Sequence, residues 1–250
     1  MITYPNCRPL SEEQIERYYV DGYIIASGLV PPVVCDAVVE AAREVAVQAG
    51  GGWTSKIFDP KNPLQDAKLH RLLIEPGLVA ATEQIFEAPA RFYYGMLAVV
   101  PAHGGKGLEW HQDNMYDFVS GRALNTFVAL CDITPDMAIL WVAPGSQTRG
   151  VAESVITNGH HHAAEPENVL QLPGLNKGDV CIFDRNMLHH SKRNTTDRHR
   201  YAYAAQFQEA NARKVKLGGK KELEKPLISE LRNVWLPVLS ETADSSVSAG

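Results

Sequence analysis

The chain has 250 residues, of which 45% are hydrophobic and 21% charged, with a formal net charge of −5. This balance gives no electrostatic reason to expect a nucleic-acid polymer or an anionic membrane as partner, and no apolar run approaches the length of a membrane span. The length suits one domain, since all-β barrels and sandwiches reach this size.

The first third reads helical. Ser11 followed by Gln14 is a capping-box pattern, and Ile15, Tyr18 and Tyr19 recur at helical spacing until Asp21-Gly22. "YIIASGLV" is a short apolar strand. Pro31-Pro32 precede a helix through "DAVVEAAREVAVQA" that stops at Gly50-Gly51-Gly52. "PGLVAATEQIF", Pro76 to Phe86, is a further helix with proline at its start.

After Pro89 the character changes. "RFYYGMLAVVPA", "LNTFVALCDI", "AILWVAPGS", "DVCIFDRNMLHHS" and "RYAYAAQFQ" are short runs rich in β-branched and aromatic residues, each bounded by Gly, Pro, Asn or Asp. Helices followed by evenly spaced strands predict a mainly β fold with flanking helices, an antiparallel barrel or jelly roll. Val151 to Leu172, with "GHHHAAEPEN", reads as a long solvated loop, and "KVKLGGKKELEK", Lys214 to Lys225, as a solvated connector. A single domain over residues 1–240 is expected, followed by a small polar tail, 241–250, expected to be disordered. Cys7, Cys35, Cys131 and Cys181 form no CxxC pair, which argues against a zinc ribbon or a disulfide scaffold. The opening "MITYPNCRPLSEEQ" lacks the pattern of a signal peptide, so a cytoplasmic location is expected.

The chemistry sits in "EWHQDNMYDF", Glu109 to Phe118. On a strand, His111 and Asp113 share a face, so an imidazole nitrogen and a carboxylate oxygen can meet at one point. A third ligand is needed, and "GDVCIFDRNMLHHSKRN" is an apolar strand that delivers His189 and His190 at its end. Two histidines and a carboxylate with other positions open suit a non-haem Fe(II) oxygenase, and a catalytic zinc site uses the same set. Arg200 opens the alternating strand "RYAYAAQF", sharing a face with Ala202, Ala204 and Gln206. A guanidinium on a barrel's inner wall needs an anion, and a dicarboxylate suits it; the other reading is a surface ion pair near Asp197.

Together "WHQD" (Trp110 to Asp113), "APGS" (Ala143 to Ser146) and "HHSKRN" (His189 to Asn194) followed by Arg200 resemble the phytanoyl-CoA dioxygenase family of Fe(II)/2-oxoglutarate oxygenases. The family pattern places Ser two, Asn five and Arg eleven residues after the second histidine ligand. His189 meets all three offsets, with Ser191, Asn194 and Arg200, and His190 does not. The likeness spans Leu10 to about Phe207 and includes the helical opening "LSEEQIERYYVDGYIIASGLV".

The resemblance implies a double-stranded β-helix, a jelly roll of the cupin kind. It implies Fe(II) on His111, Asp113 and His189, with O2 and 2-oxoglutarate as cosubstrates. Arg200 and Ser191 would take the far carboxylate, with Thr126 as an extra contact. The implied reaction yields succinate and CO2 and oxidises a small organic molecule, in what is expected to be a tailoring step of specialised metabolism. Because Asp113 stands where related halogenases have Gly or Ala, hydroxylation is expected rather than halogenation. Two departures stand out: the family often has Asn-Gly where this chain has Met137-Ala138, and His after "PGS" where it has Gln147. Tyr94, Met115, Tyr116 and Phe118 are the expected substrate contacts, with Trp53, Phe58 and Trp141 further candidates. A metal-dependent hydrolase and a non-catalytic cupin-like binding module are the competing readings; the first leaves Arg200 and Ser191 unexplained.

Overall fold

A computed structural model describes residues 9–43, 54–59, 61, 62, 64, 66–214 and 227–244. Helix α1, Glu12–Asp21, begins with the predicted capping box: the Ser11 hydroxyl accepts from Gln14 N and the Gln14 side chain accepts from Ser11 N. It ends at Gly22, whose φ of 82° is a left-handed cap that glycine adopts without a Cβ clash. Strand β1, Tyr23–Ala26, is shorter than the apolar run that announced it. Then come α2 (Pro32–Arg43), β2 (Thr54–Ile57), α3 (Ala67–His70) and α4 (Pro76–Phe86), the last with the expected boundaries and proline in its first turn. The expected end of α2, at Gly50 to Gly52, lies outside the described residues.

The remaining strands are β3 (Ala90–Val100), β4 (Val119–Ser120), β5 (Ala123–Ala129), β6 (Leu140–Val142), β7 (Ser154–Thr157), β8 (His160–Ala163), β9 (Leu170–Gln171), β10 (Val180–Asp184), β11 (His189–Ser191), β12 (Arg200–Glu209) and β13 (Arg213–Lys214). A six-stranded antiparallel sheet has the order β1-β10-β5-β12-β3-β2, and a smaller sheet the order β11-β6-β9. One face of the large sheet meets the small sheet through Phe127, Ile139, Leu140, Val142, Phe183 and Met187. Its other face carries Leu97, Val128, Ile182 and Tyr203 and is covered by the helices. Strand β5 is therefore buried at every residue, its polar Asn125 and Thr126 included. The two facing sheets form the expected jelly roll.

Two expectations need correction. Residues 151–172 are not a loop: β7 and β8 pair as an antiparallel hairpin, and β9 joins the small sheet. The turn is Asn158-Gly159, with φ of 52° and 80°, the left-handed pair that lets a two-residue turn match strand twist. That dipeptide was the missed signal. The C-terminal stretch also holds a helix, α5 (Ile228–Asp244), which reaches four residues into the stretch expected as a disordered tail; residues 215–226 and 245–250 lie outside the described set.

Helix α5 anchors through Ile228, Leu231 and Trp235, all buried. The Trp235 ring meets Phe58 edge-on at 5.3 Å, and Phe58 in turn meets Phe92 at 5.0 Å. Phe58 is thus a core residue, not a substrate contact. Trp235→Ala removes a fully buried ring from this cluster. An increase in unfolding free energy deficit of about 3–5 kcal/mol is expected, read as a lowered urea midpoint. A midpoint equal to the wild-type value would mean that α5 does not close the core.

Candidate metal centre and cavity

His111 does not lie on a regular strand. It forms an isolated antiparallel bridge with His189, each backbone N–H donating to the other's carbonyl at 3.0 Å. Asp113 opens a single turn of 3-10 helix, Asp113–Met115. The expected sharing of a strand face is therefore replaced by a bridge and a turn, and the outcome is still convergence. The ligand-bearing atoms of His111, Asp113 and His189 all lie within 4.8 Å of one another, and His111 Nε2 is 4.0 Å from Asp113 Oδ1.

The surroundings decide which atoms face that point. His111 Nδ1 donates to Glu109 O at 2.6 Å and His189 Nδ1 to Met187 O at 3.0 Å. With Nδ1 protonated, each neutral ring keeps its lone pair on Nε2, the tautomer in which a histidine ligates through that atom. Burial, with the neighbouring His189 as the next cause, lowers the His111 pKa to about 4, so the ring is neutral at neutral pH. Asp113 Oδ2 accepts from Asn125 Nδ2 and from Gln206 Nε2, the latter at 3.1 Å. Oδ1 is the carboxylate oxygen on the histidine side. The Oδ1 of Asn125 is buried with no hydrogen-bond partner among the described residues, an acceptor suited to a water on a bound cation. Two imidazoles, one carboxylate oxygen and an open side fit Fe(II).

The three residues stand at one wall of a cavity of about 330 Å³. Ser191 and Thr126 also line it. Ser191 Oγ accepts from Leu108 N at 3.3 Å, and Thr126 Oγ1 donates to Ala205 O at 3.0 Å. Arg200 is fully buried behind the wall residue Phe127, its guanidinium 5.1 Å from that ring, and Nη1 donates to Ala138 O at 2.7 Å. The surface-pair reading of Arg200 is thereby excluded. Ala138 stands where the family often has glycine and adopts φ 54°, a left-handed conformation that costs a residue with a Cβ about 1–2 kcal/mol. The side chain of Gln147, at the other departure, donates to Val20 O at 3.2 Å and so ties helix α1 down.

The expected substrate contacts divide. Tyr94 and Tyr116 line the cavity; Met115 and Phe118 do not. The 3-10 turn directs the Met115 sulfur back to accept from Gln112 N at 3.4 Å, and Phe118 is 46% exposed. Trp141 is half-buried between the core residues Leu140 and Val142 and carries the Lys192 ammonium 4.0 Å from its ring, and Trp53 lies outside the described residues. Burial, then the Asp113 charge, pushes the Tyr94 pKa up to about 12, so it stays a neutral donor. Tyr116 stands edge-on to His111 at 5.9 Å and accepts from His161 N of the hairpin at 3.2 Å. His160, assigned no role in the sequence, also lines the cavity. Sequence reasoning missed Asn125 and Arg185; only their strands were legible.

Gln112, between two of the candidate ligands, is buried. Its Nε2 donates to Gly150 O at 2.9 Å and to Asn186 O, and its Oε1 accepts from Ala152 N at 2.8 Å. One amide therefore holds the hairpin's leading segment to the turn that precedes His189.

A double-stranded β-helix with two imidazoles and a carboxylate converging on its cavity has the architecture of the non-haem iron, 2-oxoglutarate-dependent oxygenases. Comparison with known proteins makes the assignment more particular. Residues 18–202 match the phytanoyl-CoA dioxygenase (PhyH) family, and the chain belongs to that family. Among the described residues, His111, Asp113 and His189 are the group able to hold a metal ion such as iron. Among characterised relatives, the L-proline trans-4-hydroxylase of Streptomyces griseoviridis is 28% identical over 157 residues, 52% of this chain and 59% of that protein. Mouse phytanoyl-CoA dioxygenase domain-containing protein 1 is 25% identical over 162 residues, 60% of this chain and 51% of that protein. The chain thus spans little more than half the length of the curated relatives it matches.

The fold is shared with the epimerase SnoN, solved with Fe3+, alpha ketoglutarate and nogalamycin RO, at a TM-score of 0.69 and 20% identity, covering 86% of this chain and 94% of that one. It is also shared with EctD from S. alaskensis, solved with 2-oxoglutarate and 5-hydroxyectoine, at a TM-score of 0.67 and 19% identity, covering 90% and 88%. Among the described residues, no helix is long and apolar enough to cross a membrane.

Proposed function

We propose that the protein is an Fe(II)/2-oxoglutarate-dependent dioxygenase that hydroxylates a small organic molecule, as a tailoring step, within one domain over residues 1–240. His111, Asp113 and His189 hold the iron. Arg200 and Ser191 bind the far carboxylate of 2-oxoglutarate, with Thr126 beside them. Tyr94 and Tyr116 contact the substrate. The observation that carries this reading is the convergence of the three ligand-bearing groups, both histidines being turned Nε2-inward by their Nδ1 bonds to backbone carbonyls.

Bound iron supplies the oxidising chemistry, with 2-oxoglutarate as the source of electrons. The chain's own residues supply position and a dry pocket. Gln206 and Asn125 orient the Asp113 carboxylate, while the side chains of Phe127, Leu140 and Phe183 keep the cavity wall apolar. A cavity of this size is near the lower end of the roughly 300–1,000 Å³ usual for ligand sites, which favours a small substrate beside the cosubstrate. The presence of Asp113, and a hydroxylase among the relatives, support hydroxylation over halogenation.

The test is an anaerobic titration of Fe(II)-loaded protein with 2-oxoglutarate, following the visible charge-transfer band of a chelated keto acid. A saturable band is expected, followed by succinate release in air. A folded, iron-loaded protein without the band overturns the assignment and moves the hydrolase and binding-module readings forward.

A further inference from the structure

Asp113 is gripped by more than its own backbone. Asn125 on β5 and Gln206 on β12 are direct cross-strand partners, and both amides donate to the same carboxylate oxygen, Oδ2. Neither the choice of oxygen nor the orientation of the Gln206 amide is arbitrary. The Oε1 of Gln206 accepts from Nη1 of Arg185. A guanidinium has donors only, so Gln206 must offer it an oxygen and is left with its NH2 for Asp113.

Arg185 is itself fixed. It is 3% exposed, and its Nε donates to Asn114 Oδ1 at 2.9 Å. Its Nη2 donates to the carbonyls of Asp113 and Asp117 at 3.2 Å each, and the guanidinium stacks 4.4 Å from the Tyr93 ring. The chain of fixed orientations therefore runs from Arg185 to Gln206 to one oxygen of Asp113.

We propose that Arg185, Gln206 and Asn125 form a brace that keeps Asp113 a one-oxygen ligand, with Arg185 and Gln206 acting as positioning residues. With Oδ2 consumed by two donors, Oδ1 alone is left for the cation. The count of coordination positions makes this consequential. A bound iron held by three protein ligands would have to keep its remaining positions open for 2-oxoglutarate and O2. A carboxylate free to turn and chelate would take one of those positions. The inference rests on the functional reading above and extends it to residues outside the ligand set.

Gln206→Met separates the brace from the packing. The replacement keeps nearly the same length and volume and adds no charge, but it has no donor for Asp113 Oδ2. Wild-type and variant proteins are loaded with Fe(II) without air and titrated with 2-oxoglutarate by the visible band. They are then titrated with nitric oxide, a stand-in for O2, by electron paramagnetic resonance. The expected result is a 2-oxoglutarate affinity within threefold of wild type and a half-saturating nitric oxide concentration raised at least tenfold. Asn125→Leu removes the other donor from the facing strand and is expected to move the nitric oxide response in the same direction, which keeps the proposal falsifiable if the first variant does not fold. An unchanged nitric oxide response in a folded variant overturns the brace alone. A wild-type protein that shows no 2-oxoglutarate band overturns the functional reading, and the brace with it.

Discussion

Replacing His111 with Ala is expected to abolish stoichiometric Fe(II) binding and, with it, all 2-oxoglutarate turnover. Loss of an outer partner of a metal ligand costs roughly 10–100-fold in affinity, and loss of a ligand itself costs more. The fold should survive. The bridge that joins residues 111 and 189 uses backbone N–H and C=O groups on both sides, and alanine supplies these equally well. Equilibrium dialysis against Fe(II) and a thermal melt on the same sample separate the two effects. One iron retained per folded chain would show that the ligand set is wrong.

The second large effect is expected at Arg200. Burial lowers its pKa to about 9, so it remains a cation at neutral pH inside the protein. A buried cation gains strongly from an anion, and truncating one side of a buried charge pair costs about 2–5 kcal/mol. Arg200→Ala should therefore raise the 2-oxoglutarate concentration for half-maximal band formation on the order of a hundredfold with iron still bound. Arg200→Lys should recover part of that loss, because it keeps a charge and loses the planar fork that grips a carboxylate at two points. An unchanged requirement for 2-oxoglutarate in the alanine variant would remove Arg200 from the cosubstrate site.

Much of this site was legible in the sequence because its signals are local. The spacing of His111 and Asp113, and of His189, Ser191, Asn194 and Arg200, survives any reading of the surrounding fold. The strand assignment for His111 and Asp113 failed, yet convergence held, because a bridge followed by a single helical turn also brings both side chains to one point. What stayed hidden depends on contacts between distant segments. Asn125 meets Gln206 only through the register of β5 against β12, and Arg185 reaches Gln206 from a third strand end. The hairpin was a different kind of miss. Its Asn-Gly turn is a short-range signal, and the run of three histidines drew the reading towards solvent. Helix α5 was missed because its apolar positions, Ile228, Leu231 and Trp235, follow a charged stretch and precede Pro237.

The Gln112 amide bears on traffic into the cavity. Lifting the β7–β8 hairpin would break its bonds to Gly150 and Ala152, and also the bond from Ala163 N to Trp110 O. Gly150 is exposed and Ala152 and Ala163 are half-buried, so water replaces their bonds on lifting; at about 0.5–1.5 kcal/mol net for each of these bonds the closed hairpin is favoured by roughly 3 kcal/mol. Tyr116, 40% exposed at the cavity's edge, is held by the bond from His161 N at 3.2 Å, so turning its phenol aside breaks fewer contacts than lifting the hairpin does.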